Sequence, residues 1–263
     1  MFRRLFSLIL SVILLWMPLA HSVSAKDNES YQWFIKHAQN HETPSCDKRL
    51  ANIADKGGYY LGPEALPGDN SKKIYLTFDL GYINDNVIRI LDTLKEKGVH
   101  AAFFILGHVA NKEPEILKRI YSDGHLICNH TFHHTDVSKA SKEEFLAELH
   151  TLEEAYSCAT GNRLSMFFRP PEGKFSMQSL EWALEAGYVT VFWSFAYFDW
   201  DNNTQPDPSW ALNKMLKHTH KREILLLHPT SNTNADILGD FIDACRKDSF
   251  EFGSLNDLIL RTH

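Results

Sequence analysis

Five places in the chain carry side chains that could do chemistry together. Asp79 follows the apolar run Ile74-Tyr75-Leu76-Thr77-Phe78, and a carboxylate there is either a turn or helix cap or a proton acceptor. His130 and His134, in N-H-T-F-H-H, are four apart. If Thr131 to His134 forms a helical turn, both imidazoles point the same way and can grip one metal ion. His133 then hydrogen-bonds elsewhere or faces solvent. A bound divalent metal lowers the pKa of its water to about 7 and polarises a carbonyl. Asp79 would take the proton of the attacking water, and a second group must protonate the leaving atom. His228, after Leu225-Leu226-Leu227, is the candidate, unless it is a buried histidine satisfied by backbone. Asp199 could orient His228 and hold it charged. Arg169, in R-P-P-E-G, could pair with Asp79 and keep it ionised and aimed, in a loop stiffened by Pro170 and Pro171.

These residues need a scaffold that brings strand ends together. Apolar runs at Ile74–Phe78, His100–Ile105, His125–Cys128, Met166–Phe168, Val189–Trp193 and Ile224–Leu227, with a last one at Phe250–Phe252, read as strands. Between them Asn84–Lys97, Glu113–Ser122, Ser141–Ala159, Ser176–Ala186, Ser209–His218 and Ala235–Lys247 carry helical patterns, with Pro208 and Gly187 as start and stop residues. Repeated strand–helix alternation implies a parallel sheet with helices outside, either an open doubly wound sheet or a closed barrel. No G-x-G-x-x-G follows the first strand, which argues against a dinucleotide site. In a barrel the residues just past the strands converge on one rim, and here that rim collects Asp, His, Arg, Asp and His.

The first residues read as an export signal: Arg3 and Arg4, an apolar run from Leu5 to Trp16, then Val23-Ser24-Ala25. Cleavage after Ala25 removes two arginines and no acids from the 263 residues, leaving 238 and taking the formal charge from −6 to −8. A net acidic chain without Lys/Arg clusters is a poor binder of nucleic acid or anionic lipid. Cys46, Cys128, Cys158 and Cys245 permit two disulfides or four free thiols, and are too dispersed for a compact cysteine metal site. Residues 26–72 read as an extension packed on the main body of residues 73–263, with short helices at Tyr31–Ala38 and Lys48–Lys56 and an extended piece at Gly57–Pro63.

T-F-D-L-G-Y, N-H-T-F-H-H, R-P-P-E-G, F-D-W and L-L-L-H-P, in this order, resemble the five motifs of the polysaccharide deacetylases, carbohydrate esterase family 4. Within it the chain is most similar to the delta-lactam-biosynthetic de-N-acetylases, which act on peptidoglycan N-acetylmuramic acid in spore formers. K-H-A-Q-N-H-E-T-P and G-Y-Y-L-G extend the likeness into the N-terminal piece. The resemblance implies an α/β fold, a distorted, incomplete (β/α) barrel with an N-terminal extension. It implies Asp79 as base, Arg169 as its orienting partner, His228 as acid assisted by Asp199, and His130 and His134 as metal ligands. Trp200, Tyr82 and the Glu172 backbone N–H would meet substrate, the last because Pro171 has no N–H to give an oxyanion. Lys174 or Arg163 would meet the lactyl carboxylate of muramic acid.

The wider family has a second Asp after the first, completing its metal triad, where this chain has Leu80. A divalent ion of the zinc or manganese type is therefore expected to be weakly bound, with waters or Asp79 filling the remaining positions. The implied activity is removal of N-acetyl groups from muramic acid, on strands already stripped of peptide, before muramic lactam formation in spore cortex. Alternatives are a deacetylase of N-acetylglucosamine polymers and an inactive glycan-binding module. The partner is the glycan strand, with no stable protein partner and a monomeric state expected.

Overall fold

The computed structural model describes residues 29–64, 66–68 and 70–259, so the expected export signal at residues 1–25 lies outside the described residues. In chain order the elements are β1 (Tyr31–Gln32), β2 (Gly58–Tyr59), β3 (Lys72–Leu80), α1 (Asp85–Lys97), β4 (Ala102–Ile105), α2 (Gly107–Lys112), α3 (Pro114–Ser122), β5 (Leu126–Asn129), α4 (Lys142–Thr160), β6 (Ser165–Phe168), β7 (Lys174–Phe175), α5 (Met177–Glu185), β8 (Val189–Val191), α6 (Pro208–His218), β9 (Glu223–Leu227), α7 (Asn232–Lys247), β10 (Phe250–Phe252) and α8 (Asn256–Ile259). Each expected strand and helix from Ile74 onward is present within a few residues. Helix α2 is an addition to them.

The long strand β3 is the centre of the main sheet. It pairs in parallel with β9 on one side and, on the other, with β10 along its first residues and β4 along its last, and the sheet continues from β4 through β5, β6, β8 and β2. All of these pairings are parallel, as strand–helix–strand crossovers require. After β8 the chain reaches back to β9 through an isolated bridge, Phe195 to Leu225, with Leu226 N–H donating to the Phe195 carbonyl at 3.0 Å. With a second isolated bridge, Leu61 to Glu223 just past β2, the sheet thus closes on β9 through bridges where a full barrel would have a strand, which is the incomplete (β/α) barrel the motifs implied.

Side chains alternate along β3 and so sort its residues by role. Ile74, Leu76, Phe78 and Leu80 join the core between sheet and helices, with Val87 and Leu91 of α1 and Ile237 and Phe241 of α7. Tyr75 packs in the inner cluster with Phe104, Cys128, Phe167 and Val191, so Thr77 and Asp79, of the same parity, belong to the inner side. Leu80 is wholly buried in the helix-facing core. An acid introduced there would gain no metal and would bury an unpaired charge, so Leu80→Asp is expected to destabilise the protein by roughly 3–5 kcal/mol in urea melts. A variant that keeps the wild-type midpoint contradicts this placement.

The N-terminal piece departs from the expected helices. Tyr31–Ala38 is extended: β1 pairs antiparallel with β7, and Trp33 and Ile35 are buried while Gln32, Phe34 and Lys36 face out. That alternation of period two seats Trp33, Ile35, Leu50 and Ile53 against Phe175, Leu180 and Phe192. Lys48–Lys56 folds as two short 3₁₀ turns, and Gly58–Tyr59 pairs with β8. All four cysteines are free, Cys128 and Cys245 buried. Among the described residues no helix is long and apolar enough to cross a membrane.

Candidate active site

The carboxyl ends of the parallel strands open into a cavity of about 620 Å³ lined by Asp79, Gly81, Tyr82, His130, His134, Glu172, Trp193, Tyr197, Trp200, His228 and Thr230, with Gln32 and Trp33 from the N-terminal piece.

Asp79, next to last in β3, is aimed by Arg169, which follows β6. The Arg169 guanidinium is fully buried. It donates to Asp79 Oδ1 at 2.7 Å, to Thr77 Oγ1 at 2.8 Å and, from Nε, to the Val191 carbonyl at 2.9 Å, while its carbon lies 4.1 Å from the centroid of the Phe104 ring. Donors on three sides and an aromatic face leave it one orientation. Burial pushes the Asp79 carboxyl up, but Arg169, then His130 and His228, outweigh it and hold Asp79 below the usual carboxylate value.

His130 follows β5. Its Nδ1 donates to the Arg169 carbonyl at 2.8 Å, leaving the Nε2 lone pair bare 3.5 Å from Asp79 Oδ2. Burial first, against the pull of Asp79, lowers its pKa to about 4, so it is neutral near pH 7. His134 is exposed at the mouth, its ring 5.2 Å from that of His130. The two meet without the helical turn suggested by their spacing. Thr131 and His134 both adopt left-handed backbone, at φ 68° and 62°. The cause is Asn129, whose Oδ1 accepts the Thr131 N–H at 2.9 Å and whose amide donates to the Leu149 carbonyl at 3.1 Å, so a side chain takes the amide that a helix would use. His133 is turned to Glu148, donating from its backbone and ring nitrogens at 2.8 Å each.

His228 follows β9. Its backbone N–H donates to Asp199 Oδ2 and its Nδ1 to Asp199 Oδ1, both at 2.8 Å. Burial lowers the His228 pKa, but the Asp199 carboxylate, with Asp79 behind it, more than reverses this and raises it above the ordinary imidazole value. Two residues that sequence reasoning missed complete the arrangement. Asn234 at the start of α7 donates to Asp199 Oδ2 at 2.6 Å and to the His228 carbonyl at 3.0 Å, and accepts from the Tyr197 hydroxyl. Thr77 steadies Arg169 and in turn donates to the Leu225 carbonyl at 2.7 Å. The signal for Thr77 is one hydroxyl inside an apolar run; Asn234 has none.

Trp200 and Tyr82 are exposed on the cavity wall, Trp200 against Phe198 and edge-on to His228 with centroids 6.2 Å apart, while the Tyr82 hydroxyl accepts from Asn202. Glu172, at φ 54°, lines the cavity, and its carboxylate pairs with Lys174 at 2.7 Å. The two cations expected near substrate are not brought to the cavity. Lys174 is not in its lining and is neutralised by Glu172, and Arg163 precedes β6, at the far end of the sheet.

A divalent ion can be tested against these donors. Among the described residues no group of three or more His, Cys, Asp or Glu side chains stands ready to hold a metal. What fits is a pair: His130 with its Nδ1 anchored and Nε2 bare, as in a ligating histidine, and His134 beside it. Leu80 faces the core and adds nothing.

A family model described as polysaccharide deacetylase matches residues 67–191. The chain is 37% identical over 241 residues, 91% of this chain and 90% of the relative, to peptidoglycan-N-acetylmuramic acid deacetylase PdaA of Bacillus subtilis. It is 34% identical over 161 residues, 61% of this chain and 57% of the other, to a peptidoglycan-N-acetylglucosamine deacetylase of Bacillus cereus. The solved structure of Bacillus subtilis PdaA, a family 4 carbohydrate esterase, matches with a TM-score of 0.84 at 36% identity, covering 90% of this chain and 99% of that one.

Proposed function

The chain belongs to the polysaccharide deacetylases, carbohydrate esterase family 4, and we propose on that footing that it hydrolyses the acetamide of N-acetylmuramic acid in peptidoglycan, in the cell envelope. The observation that carries the reading is the pairing on one cavity of a carboxylate held ionised by Arg169 with an imidazole held protonated by Asp199. Binding alone needs neither. The similarity over nearly the whole chain to a muramic acid deacetylase, against the shorter match to a glucosamine deacetylase, favours muramic acid.

Asp79 Oδ2, the oxygen not taken by Arg169, accepts a proton from water as that water adds to the acetyl carbonyl. The Glu172 backbone N–H meets the negative charge on the carbonyl oxygen. His228 Nε2, free because Nδ1 is held by Asp199, gives its proton to the amide nitrogen as the C–N bond breaks, leaving acetate and a C2 amine. Trp200 and Tyr82 offer aromatic surface to the sugar. A divalent ion held by His130 and His134 would, when bound, polarise the carbonyl and acidify the water. The freed amine and the lactyl carboxylate of the same sugar are the two groups joined in a muramic δ-lactam, so this step precedes the lactam of spore cortex.

Incubated with intact strands, amidase-stripped strands and N-acetylglucosamine polymer, the protein is expected to release acetyl groups preferentially from muramic acid in stripped strands, as read by mass spectrometry. Activity confined to N-acetylglucosamine overturns the substrate assignment. The pH profile of kcat/KM falls on the alkaline side as His228, raised above the ordinary imidazole value by Asp199, loses its proton, and on the acid side as His130, at about 4, and Asp79, held below the usual carboxylate value, are protonated. In Asp199→Asn the raising partner is gone and burial remains, so the alkaline limb moves to lower pH; an unmoved limb contradicts the role of His228. With only two protein ligands, extensively dialysed protein retains little metal, and added divalent ion restores activity. Stoichiometric metal that resists chelators contradicts that ligand set.

A further inference from the structure

On the muramic reading, on which this inference rests, the substrate ends in a lactyl carboxylate once its peptide is gone. That carboxylate needs a donor, and the cations nearby are spent. No Lys or Arg is among the described residues that line the cavity. The Arg169 donors serve Asp79, Thr77 and the Val191 carbonyl, and Lys174 is paired with Glu172.

Gln32 is in a different position. The β1–β7 ladder sets it across from Lys174, which directly follows the turn holding Glu172. Trp33 fixes that register: its backbone N–H donates to the Gly173 carbonyl at 2.7 Å and its indole to the Trp193 carbonyl at 2.9 Å. Gly173 must lack a side chain there, since a Cβ would lie 2.9 Å from both Trp33 and Trp193. Gln32 and Trp33 therefore form a fixed part of the cavity wall, yet the Gln32 side chain is exposed and its amide bonds to no described residue.

We infer that Gln32 is the residue that reads the free lactyl carboxylate, its amide N–H groups donating to that oxyanion. A neutral donor suits this wall. With the Asp79 and Glu172 carboxylates lining the same cavity, an ammonium is drawn into an ion pair, as Lys174 is, whereas an amide stays available. A hydrogen bond to a carboxylate is about twice as strong as one to a neutral amide, and a stem peptide replaces the first acceptor by the second.

The test compares peptide-stripped strands with the same strands whose lactyl carboxylates are capped as methylamides. The wild type is expected to favour the free form in kcat/KM by roughly tenfold or more, the range of one charge-assisted hydrogen bond. Gln32→Leu should abolish that preference by raising KM for the free form, and Gln32→Glu should reverse it by repulsion. A loosened β1–β7 pairing would lower both rates together, so a variant with slower turnover but an unchanged ratio overturns the inference. Equal wild-type rates on the two forms overturn it alone. A wild type that acts on neither overturns the muramic reading and this inference with it.

Discussion

Replacing Asp79 by Asn is expected to lower kcat by about 10²–10⁴-fold, and replacing His228 by Ala to do the same, each without loss of fold. Asn keeps the hydrogen-bonding shape beside Arg169 but cannot accept a proton from water. Ala removes the only imidazole held charged by a buried carboxylate among the described residues of this cavity. Since base and acid serve one reaction, the double variant should be little slower than the worse single one. Circular dichroism and urea melts separate lost chemistry from lost structure. Near-normal turnover in either well-folded variant contradicts the assignment.

Arg169→Met carries the second large effect, and it falls on stability as well as rate. Arg169 is wholly buried and makes the contacts that tie β3, β6 and β8 together at the rim. Its loss leaves Asp79 as a buried charge without its partner, a change that typically costs about 3–5 kcal/mol. Burial, then opposed only by His130 and His228, pushes the Asp79 pKa up, so the acid limb of the activity profile moves to higher pH. In the folded wild type the depressed Asp79 pKa adds stability above the unfolded carboxylate range, and that stability is lost as pH falls through the folded value. Arg169→Met should lose this acid-sensitive part. Arg169→Lys restores charge without the fork that spans Asp79, Thr77 and Val191, so it recovers only part of either loss. A Met variant as stable as wild type, with its acid limb in place, contradicts this account.

How much of the molecule is legible in the sequence depends on the range of the interaction that decides each feature. The strands from Ile74 onward and the helices between them follow from local periodicity, and with them the convergence of Asp79, His130, Arg169 and His228 on one rim. The N-H-T-F-H-H spacing suggests a helical turn because four-residue spacing has that meaning on a helix. The deciding contact is Asn129 to Thr131, two residues apart, and a propensity reading does not show which of two local bonds wins. Tyr31–Ala38 reads as helical although Trp33 and Ile35 alternate with Gln32 and Phe34; its edge pairs with β7 far along the chain. Asn234, 35 residues from Asp199, depends on tertiary placement that no local pattern carries.

The most direct test of the central claim is to count free acetate and new muramic C2 amines on peptide-stripped strands treated with wild-type protein and with Asp79→Asn. The account predicts one acetate for each new amine with the wild type and neither product with the variant over the same time. Acetate without muramic amines, or equal release by the variant, would contradict it.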